Sequence, residues 1–237
     1  RVVDVSLFIA PSRYYSNVMA ERAAIPSEQL VQIYNGINLE GYNTSPLPDA
    51  PPVLGYFARL CPEKGLDSLI DAYIIVRNSG SIPNLKLAIG GGCQPMDKAF
   101  VEEQKNKLQK ASLLNEVKFE VNIDRQRKLE FYSQLTLLSV PALYGEAFGL
   151  YVVEAMASGV PIVALNDASF PEMVEETGAG LICKKNSKEN LATAIEQLLL
   201  NPEQLIKHSK AGRTAAANTF NIQKMANSYI KQFTNLV

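Results

Sequence analysis

The stretch at residues 141–161, PALYGEAFGLYVVEAMASGVP, constrains the fold more than any other part of the chain. An apolar run at 137–141 leads into it and another at 160–165 leaves it, and each predicts a buried strand. Between them Gly149 loosens the turn, residues 150–158 are helix formers, and Gly159 marks a C-terminal stop. Strand, tight loop, helix and strand again is the repeating unit of a parallel sheet, whose neighbours need such crossovers. The loop also leaves helix-start N–H groups at Ala147, Phe148, Gly149 and Leu150, where an anion can settle.

Two carboxylates stand eight positions apart across this loop, Glu146 before the helix and Glu154 within it. If the helix begins near Gly149, Glu154 lies roughly 7–8 Å along it, at about 1.5 Å per residue. The pair would then flank the anion site at two depths, suited to hydroxyl groups on either side of a phosphate. A plainer reading makes Glu146 a charge on the helix dipole and Glu154 a solvated surface acid. Glu154 resists it. Its neighbours Val152, Val153, Ala155 and Met156 are apolar, and a carboxylate in such company needs partners.

Strand and helix signals alternate from residue 53 to residue 200, so the expected fold is α/β: a Rossmann-like parallel sheet flanked by helices. An apolar strand at 53–58 runs into Arg59-Leu60-Cys61-Pro62-Glu63-Lys64-Gly65, and Leu66, Leu69, Ile70 and Tyr73 trace a helical stripe beyond it. Arg59 and Lys64 thus stand outside the carboxyl end of a strand, where open α/β sheets place ligand chemistry. Together they can grip a diphosphate. Ion pairs with Glu63 and Asp67 are the alternative use for them.

A strand at 85–89 meets Gly90-Gly91-Gly92, which permits a close backbone approach or is simply a turn. Further strands are expected at 118–121 and 180–183. Helices are expected at 96–113 (as a solvated flank), 125–134, 190–200, 203–219 and 221–233, the last with an apolar face of Ile222, Met225, Tyr229 and Phe233. Ahead of these lie a strand at 2–11, a helix capped by Ser12, a strand at 29–33 and the Asn35-Gly36 turn. Residues 43–52 hold four of the 13 prolines and read as a linker.

A chain of 237 residues, 47% hydrophobic, buries a sizeable core. Its formal charge of −1 argues against nucleic acid held by phosphate neutralisation. Cys61, Cys93 and Cys183 are widely spaced, which points to a reducing compartment and no zinc site. No signal peptide and no apolar run of bilayer length stands in the sequence. His208, the single histidine, falls in a polar helix and is expected at the surface. The start at Arg1 reads as that of a fragment or a processed product.

The sequence EAFGLYVVEAMASGVP at 146–161 resembles the donor-site motif of the family 4 retaining glycosyltransferases, nucleotide-sugar enzymes of the GT-B fold. The family pattern G-x-x-x-R-L-x-x-E-K-G is matched by Gly55, Arg59, Leu60, Glu63, Lys64 and Gly65. Ser12 with Asn35, Gly36, Ile37 and Asn38 resembles the stretch that closes the family's first domain. The resemblance therefore implies that residues 1–45 are the tail of an N-terminal acceptor domain plus the interdomain linker, that 46–219 form the nucleotide-sugar-binding domain, and that 220–237 are a crossover helix.

It also implies roles. Glu146 would meet hydroxyls of the donor sugar and Glu154 the ribose, while Arg59 and Lys64 hold the phosphates. Gly91 would lie beside the nucleotide, and the Ile123 backbone with Lys128 would meet the base. Glu172, in the NDASFPE turn at 166–172, would approach the sugar or serve as helix-start charge. Val121 and Thr136 depart from the family's frequent Gly and Asp. The chemistry implied is retaining, metal-independent transfer from a nucleoside-diphosphate sugar, a UDP-sugar by expectation, to a carbohydrate or lipid-linked acceptor. The missing N-terminal domain would bind that acceptor, in the cytoplasm or peripherally at the inner membrane face. Two other classes share the phosphate site: a GT-B nucleotide-sugar 2-epimerase, and a non-catalytic sugar-nucleotide or protein-binding module. The R-x-x-x-x-K and E-x7-E pairing favours the transferase over the epimerase.

Overall fold

The computed structural model describes residues 4–43, 51–184 and 187–236, so most of the proline-bearing linker lies outside the described residues. Ser12 is extended and its hydroxyl oxygen accepts from the Tyr15 N–H at 3.0 Å, which starts helix α1 (Arg13–Ala23) where the capping residue predicts. That helix joins β1 (Phe8–Ala10) to β2 (Leu30–Gln32), and the two short strands pair in parallel.

The main sheet follows from the apolar runs. Its strands are β3 (Val53–Phe57), β4 (Lys86–Gly91), β5 (Val117–Val121), β6 (Leu137–Leu138), β7 (Ile162–Ala164) and β8 (Gly180–Ile182). Helices α2 (Leu66–Ser79), α3 (Lys98–Lys110), α4 (Arg125–Ser133), α5 (Leu150–Ala157), α6 (Lys188–Leu199), α7 (Pro202–Asn218) and α8 (Ile222–Asn235) carry the crossovers and the C-terminal flank. All five ladders are parallel, in the order β5-β4-β3-β6-β7-β8. The chain leaves β3 toward β4 and β5 on one side and re-enters at β6 on the other. The β3/β6 boundary is therefore the topological switch point, where loops leaving the carboxyl ends splay apart and open a crevice.

Both faces of this sheet are covered: α2 packs on α6 and α5 on α7. Leu54, Tyr56, Leu69, Ile70, Leu138, Val153 and Met156 are among the residues sealed in the core. Several expectations need correction. Of the run at 137–141 only Leu137 and Leu138 form strand, with the Ser139 N–H still donating to the Gly55 oxygen at 2.9 Å; beyond it Pro141 has no N–H to donate and the Ala142 N–H turns back to the Val140 oxygen at 2.9 Å. Helix α3 is more than a solvated flank, since Val101, Gln104 and Leu108 are buried on one of its faces. His208 is buried too, its Nδ1 lying 2.7 Å from the Gly178 oxygen, because α7 packs that face against β8. Thr136 serves the sheet: its Oγ1 accepts from the Val53 N–H at 3.0 Å. On α8, Ile222, Ile230 and Phe233 stay largely exposed, while its start is clipped to Ile37 through bonds of 2.9 and 3.0 Å.

One glycine sets how the switch-point loops meet. Gly65 has φ +69°, and a Cβ there would lie 1.9 Å from the Pro141 oxygen. Without a side chain, the loop after β3 sits directly on the loop after β6, and the Leu143 N–H donates to the Glu63 oxygen at 3.0 Å. Gly65→Ala is expected to lose about 2 kcal/mol or more of stability. The check is a lowered urea midpoint at unchanged slope.

Candidate functional site

The contact between those loops brings Lys64 to Glu146. Lys64 Nζ lies 2.6 Å from Glu146 Oε2, and the two side chains are only 17% and 13% exposed. The same Oε2 accepts from the Tyr151 hydroxyl at 2.9 Å. The Lys64 ammonium also faces the Tyr144 ring at 4.9 Å and the Tyr151 ring at 5.7 Å. Burial pulls this ammonium down most, yet its hydrogen bonds to Glu146 and Tyr144 outweigh burial and leave it above its ordinary value. Glu63 and Asp67, expected as alternative partners, are not what Lys64 meets.

Glu154 repeats the arrangement eight residues later. Lys128, from α4, pairs with its Oε1, and the fully buried Tyr132 donates to its Oε2 at 3.1 Å. A solvated surface acid is thereby excluded. Each acid of the pair is held by a lysine and a tyrosine, Tyr42 also standing against Glu154, and in each case the lysine comes from a different strand–helix unit. The Tyr132 phenol is held well above its ordinary value, first by burial and then by the Glu154 charge. It stays a donor throughout the neutral range.

Arg59 is held by a partner that sequence reading missed. Its Nε and Nη2 lie 3.1 and 2.9 Å from the two oxygens of Asp97, a fork-to-fork pair. The signal for it was the Gln94-Pro95-Met96-Asp97 stretch, which forms a capping box. The Arg59 side chain remains 42% exposed, so part of its fork faces outward. Beside it, at the carboxyl ends of β3–β5, lies a cavity of about 370 Å³ lined by Phe57, Gly91, Gly92, Asn122, Ile123 and Lys128. Gly91 and Ile123 thus share one cavity, and Lys128 links it to Glu154. Gly91 has φ +124°, and a Cβ there would meet the Ala58 oxygen at 1.9 Å.

Helix α5 opens on Gly149, left-handed at φ +81°, with no side-chain cap on its first N–H groups. The loop carrying Ala147, Phe148 and Gly149 is braced from the other side of the chain. Ser12 Oγ donates to the Ala147 oxygen at 2.6 Å, and Tyr34 and Phe148 each stack edge-on against Phe220. Glu172 is committed elsewhere: its carboxylate accepts from the Arg13 and Tyr14 N–H groups at 2.9 and 3.1 Å, neutralising the start of α1.

A family model described as "Glycosyl transferases group 1" matches residues 42–215. The chain belongs to this family. Within it, the chain is 27% identical over 190 residues to a phosphatidyl-myo-inositol mannosyltransferase of Mycobacterium leprae, covering 78% of this chain and 48% of that protein. It is 30% identical over 195 residues to an uncharacterized glycosyltransferase of Methanocaldococcus jannaschii, covering 82% and 50%. Among solved structures, Anabaena HepE in complex with UDP and glucose superposes with a TM-score of 0.85 at 25% identity, over 97% of this chain and 63% of that one. The group 1 chain therefore spans about half the length of the curated relatives it matches. Its parallel α/β fold is that of the GT-B glycosyltransferases, as the sequence led one to expect.

The Arg59 guanidinium, and after it the Gln94 N–H, hold the Asp97 carboxyl below its usual range. That contribution to stability is complete above the unfolded-state value near pH 4 and is lost as pH falls through the lower folded-state value, so the sign is acid lability. Urea midpoints measured from pH 7 down to pH 2 are expected to fall more steeply for the wild type than for Asp97→Asn.

Proposed function

We propose that this chain is the donor-binding half of a retaining glycosyltransferase, moving a sugar from a nucleoside-diphosphate sugar to an acceptor hydroxyl. The observation that carries this reading is the convergence of two ion pairs at one switch point: Lys64–Glu146 between the loops after β3 and β6, and Lys128–Glu154 between α4 and α5. The base and ribose occupy the cavity of Gly91 and Ile123, with Glu154 on the ribose hydroxyls. The diphosphate lies between the outward edge of Arg59, the Lys64 ammonium and the amides at 147–150. Glu146 meets the hydroxyls of the sugar.

In this arrangement Lys64 serves two anions, Glu146 and the diphosphate. As the glycosidic bond breaks, charge grows on the leaving diphosphate, and fixed cations and amide dipoles aimed there stabilise the transition state over the ground state. UDP is the first nucleotide to consider, because HepE was solved with it. GDP is the second, since one mycobacterial relative is named GDP-mannose-dependent. The acceptor is a carbohydrate or lipid-linked hydroxyl bound by an N-terminal domain, for which residues up to about 45 form the closing segment. Among the described residues no helix is long and apolar enough to cross a membrane.

Calorimetric titration with UDP, GDP, ADP and UDP-glucose tests the reading. One nucleotide is expected to bind with about −4 to −8 kcal/mol, a millimolar to micromolar constant. Binding is expected to drop at least tenfold (about 1.4 kcal/mol) in both Lys64→Ala and Glu154→Ala. Affinity for none of the four, in a chain that melts cooperatively, would sink the assignment.

A further inference from the structure

One oxygen of Glu146 receives two donors of different kinds, the Lys64 ammonium at 2.6 Å and the Tyr151 hydroxyl at 2.9 Å. Tyr151 sits in the first turn of α5, and its side chain is buried. Its hydroxyl reaches the carboxylate across position 149. A Cβ on Gly149 would lie 3.3 Å from Tyr151 Cζ, 3.5 Å from its hydroxyl oxygen and 3.5 Å from Glu146 Cγ. The bare backbone at Gly149 therefore does two things: it takes the left-handed turn into α5, and it leaves room for phenol and carboxylate to meet.

The two donors differ in constancy. An ammonium on a four-carbon stem is a mobile point charge, and in the proposed donor complex it is shared with a diphosphate. A buried phenol is stiffer, has two side-chain torsions, and carries no charge that a phosphate could draw away. Burial first, then the charge and hydrogen bond of Glu146, keep that phenol protonated well above its ordinary range. When Lys64 turns toward phosphate, Tyr151 remains as the donor on Glu146.

We propose that Tyr151 is a positioning residue: its hydroxyl pins Oε2 of Glu146 so that Oε1 is presented to the donor sugar whether Lys64 is on the carboxylate or on the diphosphate. The role rests on the donor-site reading above and deepens it, assigning recognition of the sugar to a Tyr151–Glu146 unit that is separable from recognition of the diphosphate.

The test is a double-mutant cycle on the full chain, with Tyr151→Phe, Glu146→Ala and the two combined, each checked for a cooperative melt. UDP, UDP-glucose, UDP-N-acetylglucosamine, GDP and GDP-mannose are titrated, and the readout is the ratio of sugar-nucleotide affinity to parent-diphosphate affinity. Tyr151→Phe is expected to lower that ratio about tenfold, the scale of a hydrogen bond to a charged group, with diphosphate affinity shifted less than about twofold. In the Glu146→Ala background the same change is expected to do nothing further. An unchanged ratio in Tyr151→Phe overturns the role, and so does an equal loss in both backgrounds, which marks plain packing. If a diphosphate binds but no sugar adds affinity in the wild type, the Tyr151 role falls while the phosphate site stands. If nothing binds the wild type, the donor-site reading itself has failed, and the role falls with it.

Discussion

A carboxylate set among apolar side chains is tolerated only with a partner that replaces its lost water. That constraint organises this molecule. Glu146 and Glu154 lie in the loop and the helix of one short segment whose other members, Val152, Val153, Ala155 and Met156, are sealed in the core. Glu146 draws its cation, and Glu154 both its cation and its hydroxyl, from outside this segment, while Tyr151 of the same segment supplies the hydroxyl on Glu146. Lys64 comes from the loop after β3 and Lys128 from α4, so two ion pairs tie three strand–helix units together at the carboxyl ends of the central strands.

The sheet order makes this possible. With β3 and β6 adjacent, the loops that follow them are neighbours even though some 80 residues separate them in sequence. Gly65 removes the last obstacle by letting backbone approach backbone at Pro141. The same loops that satisfy the buried acids are the ones that leave amides and cations facing the crevice. A ligand carrying two phosphates and several hydroxyls suits such a surface, because phosphate competes for the cations while hydroxyls bond to the acids they release.

A second link runs from the first forty residues. Ser12 uses one hydroxyl twice, accepting from the Tyr15 N–H at the start of α1 and donating to Ala147 in the anion loop. Glu172, in the turn that follows β7, answers the same helix start, and Tyr34 continues the contact through Phe220 to Phe148. The segment at 8–43 is thus in direct contact with the loop that carries Ala147 and Phe148. Of the two uses the sequence leaves open for Glu172, approach to the sugar or helix-start charge, its carboxylate serves a helix start, that of α1. Its two backbone bonds to α1 join two distant parts of the chain.

The sequence by itself determined the alternation of strands and helices, the parallel sheet, the cap at Ser12, and the placing of Arg59, Lys64 and Glu146 in loops and of Glu154 within a helix. Each of these is a local property: periodicity, turn chemistry, or the residue type at a strand end. Partnership is not local. That Arg59 takes Asp97 rather than Glu63, that Tyr151 shares an oxygen with Lys64, that Tyr132 reaches Glu154, and that His208 is buried against β8 were all decided by tertiary structure. The physical reason is that charge and hydroxyl pairing depends on which loops the strand order brings within 3 Å, and no spacing along one segment encodes the position of another.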